Sequence, residues 1–376
     1  MCEKEFENFF ILLIRCITSR TLRPIRGNYS ESLTSILVTT FTGLYAFWLL
    51  DRCQDIFLDD NIGVTIKIMN ALMFEGILQY ILKNLGGAVY HKQFIILTNW
   101  IEDLYKVREE NEVIREIVEN ETKKALKFCI TSYKIYIYLM YTGSFALFMG
   151  LFLNDAILIQ IRNFDIDSNS WTYHMIQMVS IVIIARWHCL ADAAIIFIGI
   201  YIIIYVNIVN RMIKSLTTDP AKVTLCPDLL IGTLKKHVKI LEIFGHFNDA
   251  IKLISLLQLT LSLFMLLTLL FGLQVNSMEL SIYLPFICVM VQLFILCCFG
   301  EFIQSRTEDI FQNLYLTNWH EMNLKDQKVI YFMLINSLNA IGLKAGGMYN
   351  ISLVGFVQIL KLSFSFSAMM ITFTKK

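Results

Sequence analysis

The sequence predicts an all-α membrane protein with seven transmembrane helices, a cytoplasmic amino terminus, an extracellular carboxyl terminus and a cytoplasmic helical domain. Three observations predict this: the composition, the number of long apolar segments and the distribution of basic residues between them. Of the 376 residues, 56% are hydrophobic and 17% are charged, whereas soluble domains have about 25% charged residues. The composition indicates an integral membrane protein, and the net charge of +1 gives no reason to expect a nucleic-acid partner.

Seven segments are apolar and long enough to cross a hydrocarbon core about 30 Å thick. They are residues 33–50, 62–82, 126–153, 176–209, 254–275, 280–302 and 347–373. The fourth is too long for a simple span, so it should begin or end outside the bilayer. An earlier apolar run, residues 9–14, is too short to span, and arginines rather than a cleavage site follow it, so no signal peptide is expected. It is either a short amphipathic helix on the inner surface or a disordered terminus.

Basic residues predict the orientation, because lysine and arginine concentrate in cytoplasmic connections. They are frequent before the first span, where Arg20 lies, and after the second, fourth and sixth spans, with Lys83 following the second. The opposite side is acidic, for example at Asp51, Asp59 and Asp155. Of the nine cysteines, one falls in a predicted outer loop, so no disulfide framework is expected.

The inner connections are large and have a helical pattern. Residues 100–121 are interpreted as a solvated amphipathic helix that caps the bundle. Residues 228–248 have the same amphipathic pattern, and the later pair, residues 307–322 and 326–339, is interpreted instead as a packed cytoplasmic domain that continues spans four to seven. Successive amphipathic segments need another apolar surface against which to bury their own.

Charged and polar residues within the predicted spans are costly and normally face the bundle interior. They include Lys67, Glu75, Arg186, His188 and Asp192. His188 and Asp192 are four residues apart, so they share a helix face. They form either a ligand or gating network, or a satisfied packing network. No nucleophile with a base, metal-ligand set or phosphate loop accompanies them, so we expect neither an enzyme nor a cofactor.

The outer and middle parts of the spans are rich in aromatic, methionine and small residues. Such a lining suits a small apolar ligand with a few polar contacts, although the same residue types on helices often form ordinary core. The candidate ligand-binding residues are Ile68, Met69, Leu72, Met73, Tyr138, Tyr141, Ser144, Phe145, Phe148, Met178, Val182, Tyr283, Phe286 and Met290.

The last predicted span carries polar residues at regular intervals. Six residues share one face by their spacing: Gln358, Leu362, Ser365, Met369, Thr372 and Phe373. A face that is polar at its inner end and apolar at its outer end suits a wetted lumen with a hydrophobic gate. The alternative is a helix that packs on its neighbours through small hydroxyl residues.

The carboxyl-terminal third resembles the insect odorant receptor family over about 60 residues. The resemblance rests on Tyr315 with Trp319, Lys328, the run Lys344-Ala345-Gly346, Ser352-Leu353 with Phe356, and Lys361 before Ser363-Phe364-Ser365. Two positions depart from the family pattern. Phe364 replaces a tyrosine, and Ala340 stands where many members have proline.

The resemblance implies a tuning subunit of a ligand-gated, nonselective cation channel in the plasma membrane of olfactory neuron dendrites. It implies a heterotetramer with a co-receptor, a small volatile ligand in the outer half of the bundle, contact with membrane lipid and no obligate G protein. By position, the pore constriction falls on Met369 and Phe373, with Thr372 beside them. A gustatory receptor homotetramer is an alternative, although its last-span signature is missing. A secondary transporter is another, although the inverted repeats it needs are not found.

On these expectations the chain divides into four parts. They are a cytoplasmic segment at 1–30, a ligand-binding bundle of four helices at 31–210, helices five and six with cytoplasmic anchor helices at 211–345, and a pore-lining helix at 346–376. Lys361 lies within the last part. Four such charges in the pore of a homotetramer would obstruct cations, so we expect poor conduction by this subunit alone, unless Lys361 points sideways to a carboxylate. A robust odorant-evoked current from the subunit alone would contradict this.

Overall fold

A computed structural model describes residues 3–58, 63–106, 112–153, 166–217, 227–275 and 280–374. These residues form ten α-helices, one 3₁₀ turn and a two-stranded antiparallel hairpin. The elements are α1 (Glu3–Thr21), α2 (Tyr29–Leu58), α3 (Val64–Val89), α4 (His91–Lys106), α5 (Glu112–Leu153), α6 (Ile166–Thr217), α7 (Pro227–Val275), α8 (Leu280–Tyr315), the 3₁₀ turn (Trp319–Glu321), α9 (Leu324–Ser337), β1 (Lys344–Ala345), β2 (Tyr349–Asn350) and α10 (Leu353–Thr374). The all-α prediction is confirmed.

Six of the described helices contain a stretch long and apolar enough to cross a membrane: α2, α5, α6, α7, α8 and α10. The remaining predicted span is α3, which has 26 residues and is therefore about 39 Å long. Lys67, Glu75 and Lys83 interrupt its apolar sequence. It packs between α2 and α7, so it belongs to the bundle with the six apolar helices.

Two helices are much longer than a bilayer requires. Helix α6 has 52 residues and α7 has 49, whereas about 20 residues cross the hydrocarbon core. The fourth apolar segment is thus too long for a simple span, as predicted. In α7, the predicted amphipathic segment 228–248 continues directly into the fifth span. Helix α9 packs on α7 and α8, where the His237 ring lies 2.9 Å from the Ser337 hydroxyl.

Helix α1 belongs to the core of the bundle, which differs from both interpretations of residues 9–14. Its apolar residues recur three or four positions apart and therefore form one stripe. Phe9 packs edge-on against Phe197 of α6, and Leu13 and Ile17 are fully buried. The apolar run is too short to span a membrane, and it is buried by the other helices instead.

The segment 100–121 is not a single solvated helix. It belongs to the end of α4 and the start of α5, with residues 107–111 outside the described ranges. Trp100, Ile101, Ile114 and Val118 are buried in the main core. The charged residues of this segment led to the solvated interpretation, but its apolar face packs against the bundle.

The last helix begins later than predicted, at Leu353 rather than at residue 347. The intervening residues form the hairpin, whose turn uses Gly346 and Gly347 at φ of +60° and +78°. Side chains other than glycine are strained in this left-handed region. The Gly346 N–H donates to the Lys252 carbonyl of α7 at 2.8 Å, and the Leu353 N–H donates to the Glu301 carboxylate of α8 at 3.2 Å. The start of α10 is therefore attached to both helices.

Candidate functional site

A cavity of about 170 Å³, here called the main cavity, lies among α3, α5, α6, α7 and α8. An engineered apolar cavity of about 150 Å³ binds benzene, so the main cavity has room for a compact organic molecule. Its apolar lining is Leu72, Met73, Gly76, Ile77, Met140, Gly143, Leu147, Ile181, Ile184, Ala185, Met265, Pro285, Cys288 and Val289. Its polar lining is Gln79, Ser144, His188 and Gln292.

Helical spacing explains how each helix contributes to the lining. On α6, Ile181, Ile184, Ala185 and His188 are three or four positions apart and therefore face the same way. Glycine at position 143 lets α5 approach α8 closely, because a Cβ atom there would overlap the Cys288 sulfur. The cavity is enclosed by these close helix contacts rather than by loops.

Leu72, Met73 and Ser144 are the predicted ligand-binding residues that line the main cavity. Met69 and Phe148 are buried beside it, in a small core cluster that also contains Met73. Four more predicted residues lie away from the lining. Ile68 is buried in the main core, Phe286 and Met290 pack partly buried against it, and Tyr141 is half-buried.

The other predicted ligand-binding residues are exposed on the outside of the isolated chain: Tyr138, Phe145, Met178, Val182 and Tyr283. The structure therefore does not bring them together with Leu72, Met73 and Ser144. Residue type led to their selection, but residue type does not show which face of a helix points inward. Their role in ligand binding stays a prediction.

A buried carboxylate, Asp192 of α6, lies next to the main cavity. Arg20 of α1 donates to its Oδ1, and Lys83 of α3 lies 2.8 Å from the same oxygen. Both cations are almost fully buried, with 1% and 2% of their surface exposed. The sequence placed both residues outside the predicted spans, and the structure buries them among the helices. Their burial with a carboxylate is favourable only because the charges are paired.

Three further groups complete the hydrogen bonding of Asp192. The Tyr136 hydroxyl donates to its Oδ2 at 2.9 Å, the Gln292 amide donates to the same oxygen at 3.2 Å, and His188 Nε2 lies 3.1 Å from it. We call Asp192 with Arg20, Lys83, Tyr136, His188 and Gln292 the Asp192 network. The sequence pointed to His188 with Asp192, whereas Arg186 is exposed and is not among the partners of Asp192.

The Asp192 network lies between the main cavity and a second cavity of about 90 Å³. His188 lines the main cavity, Lys83, Tyr136 and Asp192 line the second, and Gln292 lines both. The network is thus a satisfied packing network, as one interpretation had it, and it also contacts the space that a ligand could occupy.

Helix α10 attaches to the bundle through its small polar residues. Ser363 and Ser367 are buried, and the Ser367 hydroxyl donates to the Gln274 side chain of α7 at 2.9 Å. The predicted pore face points away from the bundle: Gln358, Leu362, Ser365, Met369 and Thr372 are exposed, as is Lys361. The side chain of Phe373 is outside the described part of the chain.

Comparisons with known proteins agree on one family. A family model described as 7tm Odorant receptor matches residues 68–364. Odorant receptor 33b of Drosophila melanogaster is 26% identical over 92 residues, 24% of each chain. Odorant receptor 85c of the same species is 22% identical over 146 residues, 38% of each chain. The matches therefore span well under half the length of these relatives.

Two solved structures have the same fold. They are the insect olfactory receptor OR5 from Machilis hrabei, alone and in complex with eugenol, each with a TM-score of 0.72 and 13% sequence identity. The superposition with the eugenol complex covers 98% of both chains. At this identity the likeness concerns the fold, which is that of a multi-pass membrane protein.

Proposed function

The chain belongs to the 7tm odorant receptor family, and from that premise we propose that it is the odorant-binding subunit of a heteromeric, odorant-gated, nonselective cation channel. The observation that carries the proposal is the mainly apolar main cavity between the helices. A small volatile binds there chiefly through apolar burial, worth about 25 cal/mol per Å². In this proposal the amino terminus is cytoplasmic, the carboxyl terminus is extracellular and the protein lies in the plasma membrane of olfactory neurons.

The exposed face of α10 supports a pore between subunits. Ser363 and Ser367 fix one side of the helix to the bundle, while Ser365 and Met369 lie on the side that no described part of the chain covers. Four such helices around an axis give a lumen that is polar inside and apolar at its outer end, where it closes by dewetting. Lys361 on this helix favours an unlike co-receptor subunit over four identical ones.

Apolar residues at the end of the bundle near α9 support an assembly. Tyr331, Phe332, Ile335 and Leu338 are all exposed. A contiguous exposed apolar surface of this kind marks a contact site. We assign it to the anchor through which neighbouring subunits meet. The family model is that of odorant receptors, so no observation favours the gustatory or the transporter alternative.

Filling the main cavity should reduce the odorant response. Ala185 is buried in its lining, so Ala185→Leu removes space that the ligand needs. We expect the half-maximal concentration of an activating volatile to rise at least about tenfold, the effect of losing about 1.4 kcal/mol of ligand binding. Voltage clamp of oocytes that express the chain with the co-receptor measures this.

Ala71→Leu is the matched control, since Ala71 lies on α3 and is not part of the lining. Its response should remain within about twofold of the unmodified chain. An unchanged response of Ala185→Leu, at equal surface expression, would place the odorant elsewhere. Silence of the unmodified complex across a broad volatile panel would count against the channel proposal itself.

Making the outer end of α10 polar should increase the resting current. Met369→Ser wets the apolar constriction, so the pore conducts without odorant. We expect a resting current several times that of the unmodified complex, on the order of three- to tenfold. Ala368→Ser is the control, because the neighbouring residue is also exposed but lies off the proposed pore face. Equal resting currents for both variants would show that Met369 does not form the gate.

A further inference from the structure

His188 and Gln292, here called the polar pair, line the main cavity and both contact Asp192. His188 Nε2 and Gln292 Nε2 lie 3.1 and 3.2 Å from the same carboxylate oxygen, Asp192 Oδ2. An ionised carboxylate only accepts hydrogen bonds. The Gln292 amide therefore donates to it through Nε2, which also lies 3.2 Å from His188 Nε2, and this donation sets the orientation of the amide.

The orientation of the Gln292 amide leaves one acceptor for a ligand. An amide donates through its nitrogen and accepts through its oxygen. With Nε2 directed at Asp192, Gln292 keeps its Oε1 as an acceptor, and no described residue donates a hydrogen bond to that atom.

Other polar groups of the main cavity also direct a donor at an acceptor of the protein. The Ser144 hydroxyl donates to the Met140 carbonyl at 2.8 Å. The Gln79 amide donates to the Ser262 hydroxyl at 3.5 Å, and the Cys288 thiol lies 3.8 Å from the Leu139 carbonyl. The lining thus directs donors into the protein and leaves acceptors for a ligand.

We propose that the polar pair selects ligands that carry a hydrogen-bond donor, namely compact alcohols and phenols, over ligands of the same size that only accept. An alcohol donates a hydrogen bond to Gln292 Oε1. A ketone or an ether has no donor, so its oxygen would face the Gln292 oxygen without a hydrogen bond between them. The volume of about 170 Å³ limits the body of such a ligand to about one six-membered ring. This inference rests on the proposed odorant-binding function.

Cyclohexanol and cyclohexanone are a matched pair of probes. Both are six-membered rings with one oxygen that accepts hydrogen bonds, but only cyclohexanol also donates one. For the chain expressed with the co-receptor, we expect cyclohexanol to give half-maximal current at a concentration about tenfold lower than cyclohexanone does. Gln292→Met keeps the shape of the side chain but removes its acceptor together with the N–H that donates to Asp192. It should bring the two concentrations to within about twofold of each other.

Val289→Ala is the control, one helical turn from Gln292 in the same lining. It removes apolar contact alone, so it should weaken both probes alike and leave their ratio unchanged. The second readout is the melting temperature of the purified complex, which a bound ligand raises whether or not the channel opens. Cyclohexanol should raise it more than cyclohexanone does at equal concentration.

The two readouts separate the two proposals. Equal potency of both probes, with a clear current, would overturn the donor preference and leave the channel function in place. A larger melting shift with cyclohexanol but no current from any volatile would support the donor preference and overturn the channel function. Equal melting shifts without current would overturn both.

Discussion

Asp192→Asn should strongly destabilise the protein and abolish its surface expression. The substitution removes the charge that compensates Arg20 and Lys83, both of which are buried. Removing one partner of a buried ion pair costs about 3–5 kcal/mol, because the remaining charge has neither water nor a counter-ion. Fluorescence-detected size exclusion after a temperature series, with surface labelling of intact cells, measures both effects.

Two further variants test this explanation. Glu242→Gln removes a carboxylate from an exposed pair with Lys239, and it should change stability by less than about 0.5 kcal/mol. Combining Asp192→Asn with Lys83→Met removes one of the two uncompensated cations, so the double variant should be more stable than Asp192→Asn alone. An Asp192→Asn variant as stable as the unmodified chain would contradict the view that the Asp192 network holds the bundle together.

Gly300→Ala should abolish the odorant-gated current and lower the melting temperature. A Cβ atom at this position of α8 would overlap the carbonyl oxygen of Ile351, which immediately precedes α10. The backbone there cannot move aside easily, because the Ile351 N–H donates to the Leu343 carbonyl at 2.9 Å. Overpacking of this kind costs about 1–3 kcal/mol, and in our proposal the strain falls on the attachment of the pore helix.

Gly245→Ala is the matched control, because it is the same substitution inside α7 and a Cβ atom there would contact nothing within 4 Å. Alanine is a better helix former than glycine by about 1 kcal/mol, so this variant should be as stable as the unmodified chain or more stable. The two substitutions are thus expected to change the stability of the protein in opposite directions. Normal current from Gly300→Ala would show that α8 and the start of α10 separate without functional cost.

The elements of the fold were largely predictable, since apolar length and helical period are local properties of the sequence. The segment lengths predicted the bundle helices, and the fourth apolar segment, which was too long for a simple span, lies within the 52-residue helix α6. The two short strands before α10 were not predicted. With two residues each, they carry no periodic signal, and the hairpin depends on its contacts with α7, among them the hydrogen bond from Gly346 to Lys252.

The candidate site was only partly predictable. Leu72, Met73 and Ser144 were selected for their residue types and do line the main cavity. Ile184 and Gln292 line it as well but were not selected, because periodicity defines a face without saying which neighbour it meets. The lining residues of α6 at positions 181, 184 and 185 precede His188 by seven, four and three residues, so they share its helix face. That spacing is a signal in the sequence that could have identified them.

The sequence by itself determined a helical membrane protein of the odorant receptor family and the place of its last helix, because hydrophobicity and motif order do not depend on packing. Only the tertiary structure decided that Arg20 and Lys83 lie buried in the bundle interior beside Asp192. Arg20 and Asp192 are 172 residues apart, and a basic residue is stable inside a membrane protein only beside its counter-charge. That pairing exists only after the helices have packed.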